Sequence, residues 1–132
     1  MQQKAVLEAV DVARLLDAAR SEAKRNQWAV TIAISDDGGH LLALERLDGC
    51  APIASYIAVE KARSAALGRR DTKGYEDMVN SGRTAFVSAP LVTALEGGVP
   101  IVIDGHVIGA IGVSGVRADQ DAQVAAAGTA AL

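Results

Sequence analysis

Apolar residues recur at helical spacing near the start of the chain. Ala9, Val12, Ala13, Leu16, Ala19 and Ala23 share one face, and Glu8, Asp11, Arg14, Asp17, Arg20 and Glu22 cover the rest. The spacing predicts an amphipathic helix over residues 4–25, with Lys24 and Arg25 at its negative end and Asn26 as its stop. The period then drops to two. Residues 28–35 (WAVTIAIS) and 40–46 (HLLALER) alternate, and Asp36-Asp37-Gly38-Gly39 between them is a turn, so the pair predicts a hairpin. Alternation places His40, Leu42, Leu44 and Arg46 on one face of its second strand, and Leu41, Ala43 and Glu45 on the other.

Helical spacing returns after the loop Leu47 to Ala51. Pro52 suits a first helical turn, and Ala54, Ile57, Ala58, Ala62, Ala65 and Ala66 form a narrow stripe of small residues over 52–67, with Gly68 marking the end. Lys61 sits at the edge of that stripe. Its ammonium must snorkel, pair with a carboxylate or face a ligand, and snorkelling is the ordinary outcome. Residues 69–90 are the most polar stretch. They carry one short helix from Thr72 through Val79 and a turn after Pro90, and they read as a mobile or site-covering segment.

A second hairpin occupies Glu96 to Gly115, EGGVPIVIDGHVIGAIGVSG. Asp104-Gly105 is a preferred type I′ turn. The strand after it is interrupted by Gly109, Gly112 and Gly115. Glycines in a strand cost entropy, and close approach of a backbone, a helix or a flat ligand is the usual compensation. Arg117 to Leu132 then predicts a terminal helix. Its small face of Ala122, Ala125, Ala126, Gly128 and Thr129 suits a sheet or a partner helix. Hairpins separated by helices define an α+β domain with an antiparallel sheet, spanning residues 1–132 as one unit. No βαβ dinucleotide unit is present, because no helix directly follows Gly105-x-x-x-Gly109.

Composition narrows the function. Of 132 residues, 50% are hydrophobic, 22% charged and 3% aromatic, and the net charge is −3. So few aromatics and no basic run argue against nucleic acid. No apolar stretch approaches the ~20 residues of a membrane span, and the first residues lack the apolar core of a signal peptide, so a cytoplasmic protein off the membrane is expected. The lone Cys50 excludes an intrachain disulfide and a cysteine zinc cluster.

Few side chains stand out for chemistry. His40 opens a strand after two glycines and is the candidate ligand for a metal or haem iron, although no second His or Cys lies at ligand spacing. His106 flanks a turn and reads as a surface residue. Arg46 and Asp48 bracket the loop after the second strand; they either pair to fix it, or Arg46 holds an anionic group such as a propionate. Glu96 is a carboxylate beside Gly97-Gly98. Ser114 has no His and Asp spaced to make it a nucleophile. No catalytic residue emerges.

The segments DDGGHLLALERLDG (36–49), KARSA (61–65), GGVPIVIDGHVIGAIGVSG (97–115) and DQDAQVAAAG (119–128) together resemble the GlcG/HbpS family, also called the haem-degrading domain family, which includes the C-terminal domain of PduO-type proteins. The resemblance covers nearly the whole chain. It implies a profilin- or PAS-like α+β domain with about five antiparallel strands, assembled as a homo-oligomer from dimer to octamer. It also implies haem as cofactor in some members and a corrinoid in others. His40 falls in the family's glycine-turn and strand motif. Arg46, Asp48 and Gly49 match its Arg-x-Asp-Gly loop, Lys61 its Lys-Ala motif, and Gly97, Gly98 and Pro100 its Gly-Gly-x-Pro turn. The chain departs at Cys50, where Ala is usual, and at Ser64, where Thr is usual.

Three functions follow as expectations. The first is a module holding haem or another flat cofactor, or a small ligand, with His40, Arg46, Asp48, Lys61, Gly97, Gly98 and Gly112 at the site. The second is a small enzyme in which Arg46 anchors a carboxylate and His40, Asp48, Glu96 or Lys61 serves as acid or base. The third is a non-catalytic accessory subunit.

Overall fold

A computed structural model describes all of residues 1–132. The chain order is α1 (Ala9–Arg25), β1 (Thr31–Asp36), β2 (Leu41–Arg46), α2 (Ile53–Gly68), α3 (Thr72–Asn80), a 3-10 turn (Thr84–Ser88), β3 (Gly98–Ile103), β4 (His106–Ser114) and α4 (Ala118–Thr129). One antiparallel sheet runs in the order β2-β1-β4-β3. It has four strands, not the five or so expected. The polar stretch between α2 and β3 forms α3, the 3-10 turn and irregular chain, and adds no strand.

The helices divide between the two faces. Leu15, Ala19 and Ala23 of α1 and Val124 and Ala125 of α4 pack with Ile32, Ile34, Ile101, Ile111 and Val113 in the main core. On the other face Ala58 and Ala62 of α2 meet Ala33, and Ala65 and Ala66 meet Ala110. The Glu8 N–H donates to Asp11 Oδ2 at 2.9 Å and fixes the start of α1 after an extended Glu8. The Asp104-Gly105 turn has both residues at positive φ, 50° and 78°, as a type I′ turn requires.

The glycines of β4 are compensated from within the chain. A Cβ on Gly112 would fall inside contact distance of Ala58 O and Ala62 N, so the α2 backbone lies directly on the strand. A Cβ on Gly98 would meet the Lys61 carbonyl in the same way. No flat ligand fits between α2 and β4, and Gly98 and Gly112 do not line a cofactor face. The small face of α4 is also used internally: Gly128 admits Ile111 and Ala19. Gly68 is part of α2, and its missing side chain makes room for the Tyr75 hydroxyl, while Arg69 takes the left-handed position at φ 56°.

The alternation read for β2 breaks at a bulge. Ala33 faces Leu44 and Thr31 faces Arg46, but Ser35 faces Leu41, so one residue of β2 is extra there. The His40 ring turns to Asp36 instead of joining the row of Leu44 and Arg46.

Candidate functional site

The sheet has two ends of different chemistry. At one end lie the turns after β1 and β3, with both histidines. Asp36 accepts the backbone N–H of Gly38 and of His40 at 2.9 Å each, and its carboxylate lies 3.1 Å from His40 Nδ1. Partial burial pushes the Asp36 carboxyl up, but these hydrogen bonds outweigh it and hold the group below its ordinary value. The His40 side chain is 80% exposed. Lys4 pairs with Asp37 beside it. Two cavities of about 320 and 260 Å³ border His106 and Lys4, and the larger one also borders Arg69.

At the opposite end a larger cavity of about 530 Å³ opens between α1 and the end of β2. It is lined by Arg20, Lys24, Gln27, Trp28, Ala29, Glu45, Arg46, Leu47 and Asp48. The hairpin assembles it. The Leu47 N–H donates to Val30 O at 2.9 Å, so the segment leaving α1 lies beside the segment leaving β2. Gln27 turns the chain there at φ 59°. Arg20 is committed to the wall: Nε and Nη2 donate to the two oxygens of Glu45 at 2.5 and 3.1 Å, and Nη1 donates to Asp17 at 2.6 Å. The Glu45 bond, then the Asp17 bond, raise the Arg20 pKa, and Arg20 in turn holds Glu45 below the usual carboxylate range. Lys24 and Arg46 form no salt bridge and donate no side-chain hydrogen bond within the chain. They are two free cations at a cavity with an indole wall, the composition that takes an anionic, partly apolar ligand.

The expected site residues therefore separate. Arg46 and Asp48 share the cavity, and no ion pair joins them. His40 stands at the other end of β2, about 20 Å from Arg46 at ~3.3 Å per residue. Gly97 and Gly98 are buried in the sheet beside Lys61. Lys61 neither snorkels nor faces a ligand. Its side chain is 4% exposed, and Nζ donates to Val113 O at 2.9 Å and to Asp121 Oδ2 at 3.1 Å. The Glu96 N–H donates to Glu76, and Ser114 and Cys50 are buried, with Cys50 Sγ 3.4 Å from Thr31 Oγ1. The acid–base set of the enzyme reading does not converge. Lys24 and Trp28 escape a reading by motif. Their signal was topological, since a hairpin with a turn at 36–39 brings residue 30 beside residue 47.

Fold and site together define a small α+β domain whose sheet carries at one end a cavity with two cations, Lys24 and Arg46, that form no ion pair. The chain belongs to the HbpS-like family: the family model described as haem degrading protein HbpS-like matches residues 7–130. It is 63% identical over 114 residues to Protein GlcG of Escherichia coli strain K12, covering 86% of this chain and 85% of that one. Among solved structures it is similar to a haem complex of PduOC, with TM-score 0.87, 27% identity and 97% of this chain and 96% of that chain covered. It is also similar to a double mutant of HbpS from Streptomyces reticuli, with TM-score 0.89, 28% identity and 100% and 90% covered.

Haem has two requirements here, and the residues meet one. Lys24 and Arg46 suit its two propionates, and Trp28 suits the ring. No His, Cys, Met or Tyr lines that cavity to ligate the iron.

Proposed function

We propose that this protein is a binding module for haem or a comparable planar, carboxylated ligand, held at the cavity of Lys24, Trp28, Arg46 and Asp48. The observation that carries this reading is the pair of cations without an ion-pair partner, Lys24 and Arg46, at a 530 Å³ cavity walled by Trp28, where Arg20 engages Glu45 and leaves Asp48 as the one unbonded carboxylate. The haem complex of a relative with the same fold supports the ligand class. A corrinoid is the alternative, and its amide-rich rim makes less use of two cations.

The same reading includes a cytoplasmic homo-oligomer. Leu41, Leu42 and Leu44 are 50%, 43% and 39% exposed on the edge strand β2, and Ile53 and Tyr56 are exposed on α2. Covering such an edge is a common reason for association. No helix is long and apolar enough to cross a membrane.

The test is a titration of the purified protein with haem, followed in the Soret region, alongside native mass spectrometry for subunit number. Saturable binding that weakens in Arg46→Ala supports the reading. An unchanged haem spectrum at saturating concentration would remove it.

A further inference from the structure

We infer that the cavity grips its ligand by carboxylates alone, and that a metal at the ligand's centre adds nothing to binding. The inference rests on the cavity being the binding site, as proposed above. The free cations and the candidate donors for a metal occupy opposite ends of the sheet. Lys24 lies in the last turn of α1 and Arg46 ends β2, so two anchors on two elements stand ready for two carboxylates. Arg20 is not a third anchor, because all its nitrogens are spent on Glu45 and Asp17.

The donors are elsewhere. His40 and His106 both flank turns at the far end: β1 ends at Asp36, opposite Gly109 of β4, while the cavity end of that pair is Thr31 opposite Ser114. Six residue steps along β2 separate His40 from Arg46, about 20 Å at ~3.3 Å per residue. Cys50 is near the cavity end, but it is 7% exposed and its sulfur rests on Thr31 Oγ1 and the Ser114 carbonyl. A planar diacid seated on Trp28 with its carboxylates on Lys24 and Arg46 therefore meets no axial donor from this chain. The ligand class is a planar dicarboxylate, metal-loaded or metal-free.

The experiment compares protoporphyrin IX, its iron and zinc complexes and its dimethyl ester, titrated into the intact protein. Quenching of the single tryptophan, Trp28, and the porphyrin absorbance are the readouts. Metal-free and iron-loaded porphyrin should bind within about threefold of each other, while the diester should lose about tenfold or more, as expected on removing a charge-assisted contact. Lys24→Gln and Arg46→Gln should each weaken every free-acid porphyrin by about fivefold or more. Neither side chain bonds within the chain, so both variants should keep the native far-UV circular dichroism. His40→Ala and His106→Ala should bind as the parent does.

Iron porphyrin binding at least about tenfold tighter than the metal-free ring, with loss of that advantage in His40→Ala or His106→Ala, would overturn the inference and leave haem binding standing. The diester binding as well as the diacid would overturn it too. Absence of binding by any porphyrin would overturn both the inference and the function proposed above.

Discussion

Removing the ammonium of Lys61 should cost the fold more than any other single surface-sparing change in α2. Lys61→Met keeps most of the stem's volume and deletes the charge. It leaves the Val113 carbonyl without its buried donor, and it leaves Asp121, 3% exposed, with only the Val116 N–H at 3.2 Å. Breaking a buried pair from one side costs about 3–5 kcal/mol, because the remaining charge stays desolvated. For a chain of this length that corresponds to a fall in Tm of about 10–18 °C. Burial pushes the Asp121 carboxyl above its ordinary value, against the opposing pull of Lys61 and of the Val116 N–H. A raised carboxyl in the folded state binds extra protons there. Its contribution is present below the unfolded value and is lost as pH rises through the folded value. Without Lys61 that folded value climbs further. The deficit of Lys61→Met should therefore be largest at neutral pH and should shrink on acidification, as Asp121 takes up its proton. Urea denaturation from pH 7 down to pH 5 measures this directly. Lys61→Met with Asp121→Leu should return to within about 1 kcal/mol of the parent, since an apolar pair of similar volume replaces a desolvated ion pair at little net cost. A single variant within about 1 kcal/mol of the parent at pH 7, or a deficit that grows on acidification, would refute the reasoning.

Gly112→Ala should destabilise by about 1–3 kcal/mol or more, read as a lower urea midpoint. Its Cβ would strike backbone atoms of Ala58 and Ala62 that no side-chain truncation can move. Glu45, held below the usual carboxylate range by Arg20, contributes stability above its ordinary value that is lost as pH falls through its lower folded value. Arg20→Gln should flatten that part of the acid limb in pH-dependent melts by less than about 1 kcal/mol, because the pair is partly exposed. Leu44→Lys at the β2 edge should leave the protomer folded by circular dichroism and shift the proposed homo-oligomer toward smaller species on size exclusion.

What could be read from the chain depended on distance. The helices and hairpins announced themselves through local period, and Asp104-Gly105 through the φ that its turn demands. The β1–β2 bulge left no mark, because LLALER alternates acceptably in either register. The Ala and Gly faces were visible as faces, but small residues invite a helix, a sheet, a ligand or a neighbour equally. Only coordinates show α2 seated on Gly112 and α4 on Ile111. Lys61 illustrates the same limit. Its partner Asp121 is 60 residues away on another helix, and no local signal separates a snorkelling lysine from one that closes an internal ion pair. Arg46 and Asp48 were legible as the two charges of one loop, but the ion pair offered for them does not form, and the cavity they share needed Lys24 and Trp28 from the other side of the hairpin.

The packing of α2 also restricts where any ligand can go. One face of the sheet is in contact with the α2 backbone, and the other carries α1 and α4 with the whole of the large aliphatic core. Neither face can accept a ring without parting elements whose contact depends on missing side chains. The two edges and two ends remain. The β3 edge contains Pro100, which offers no N–H, and the β2 edge offers leucines suited to another protein surface. Small ligands are therefore left to the ends, where loops and the last residues of helices supply the contacts. Substitution there leaves the core and the seating of α2 on β4 untouched. With the cavity as the proposed site, Lys24 and Arg46 would govern what is bound, and Gly112 and Lys61 govern whether there is a fold to bind it.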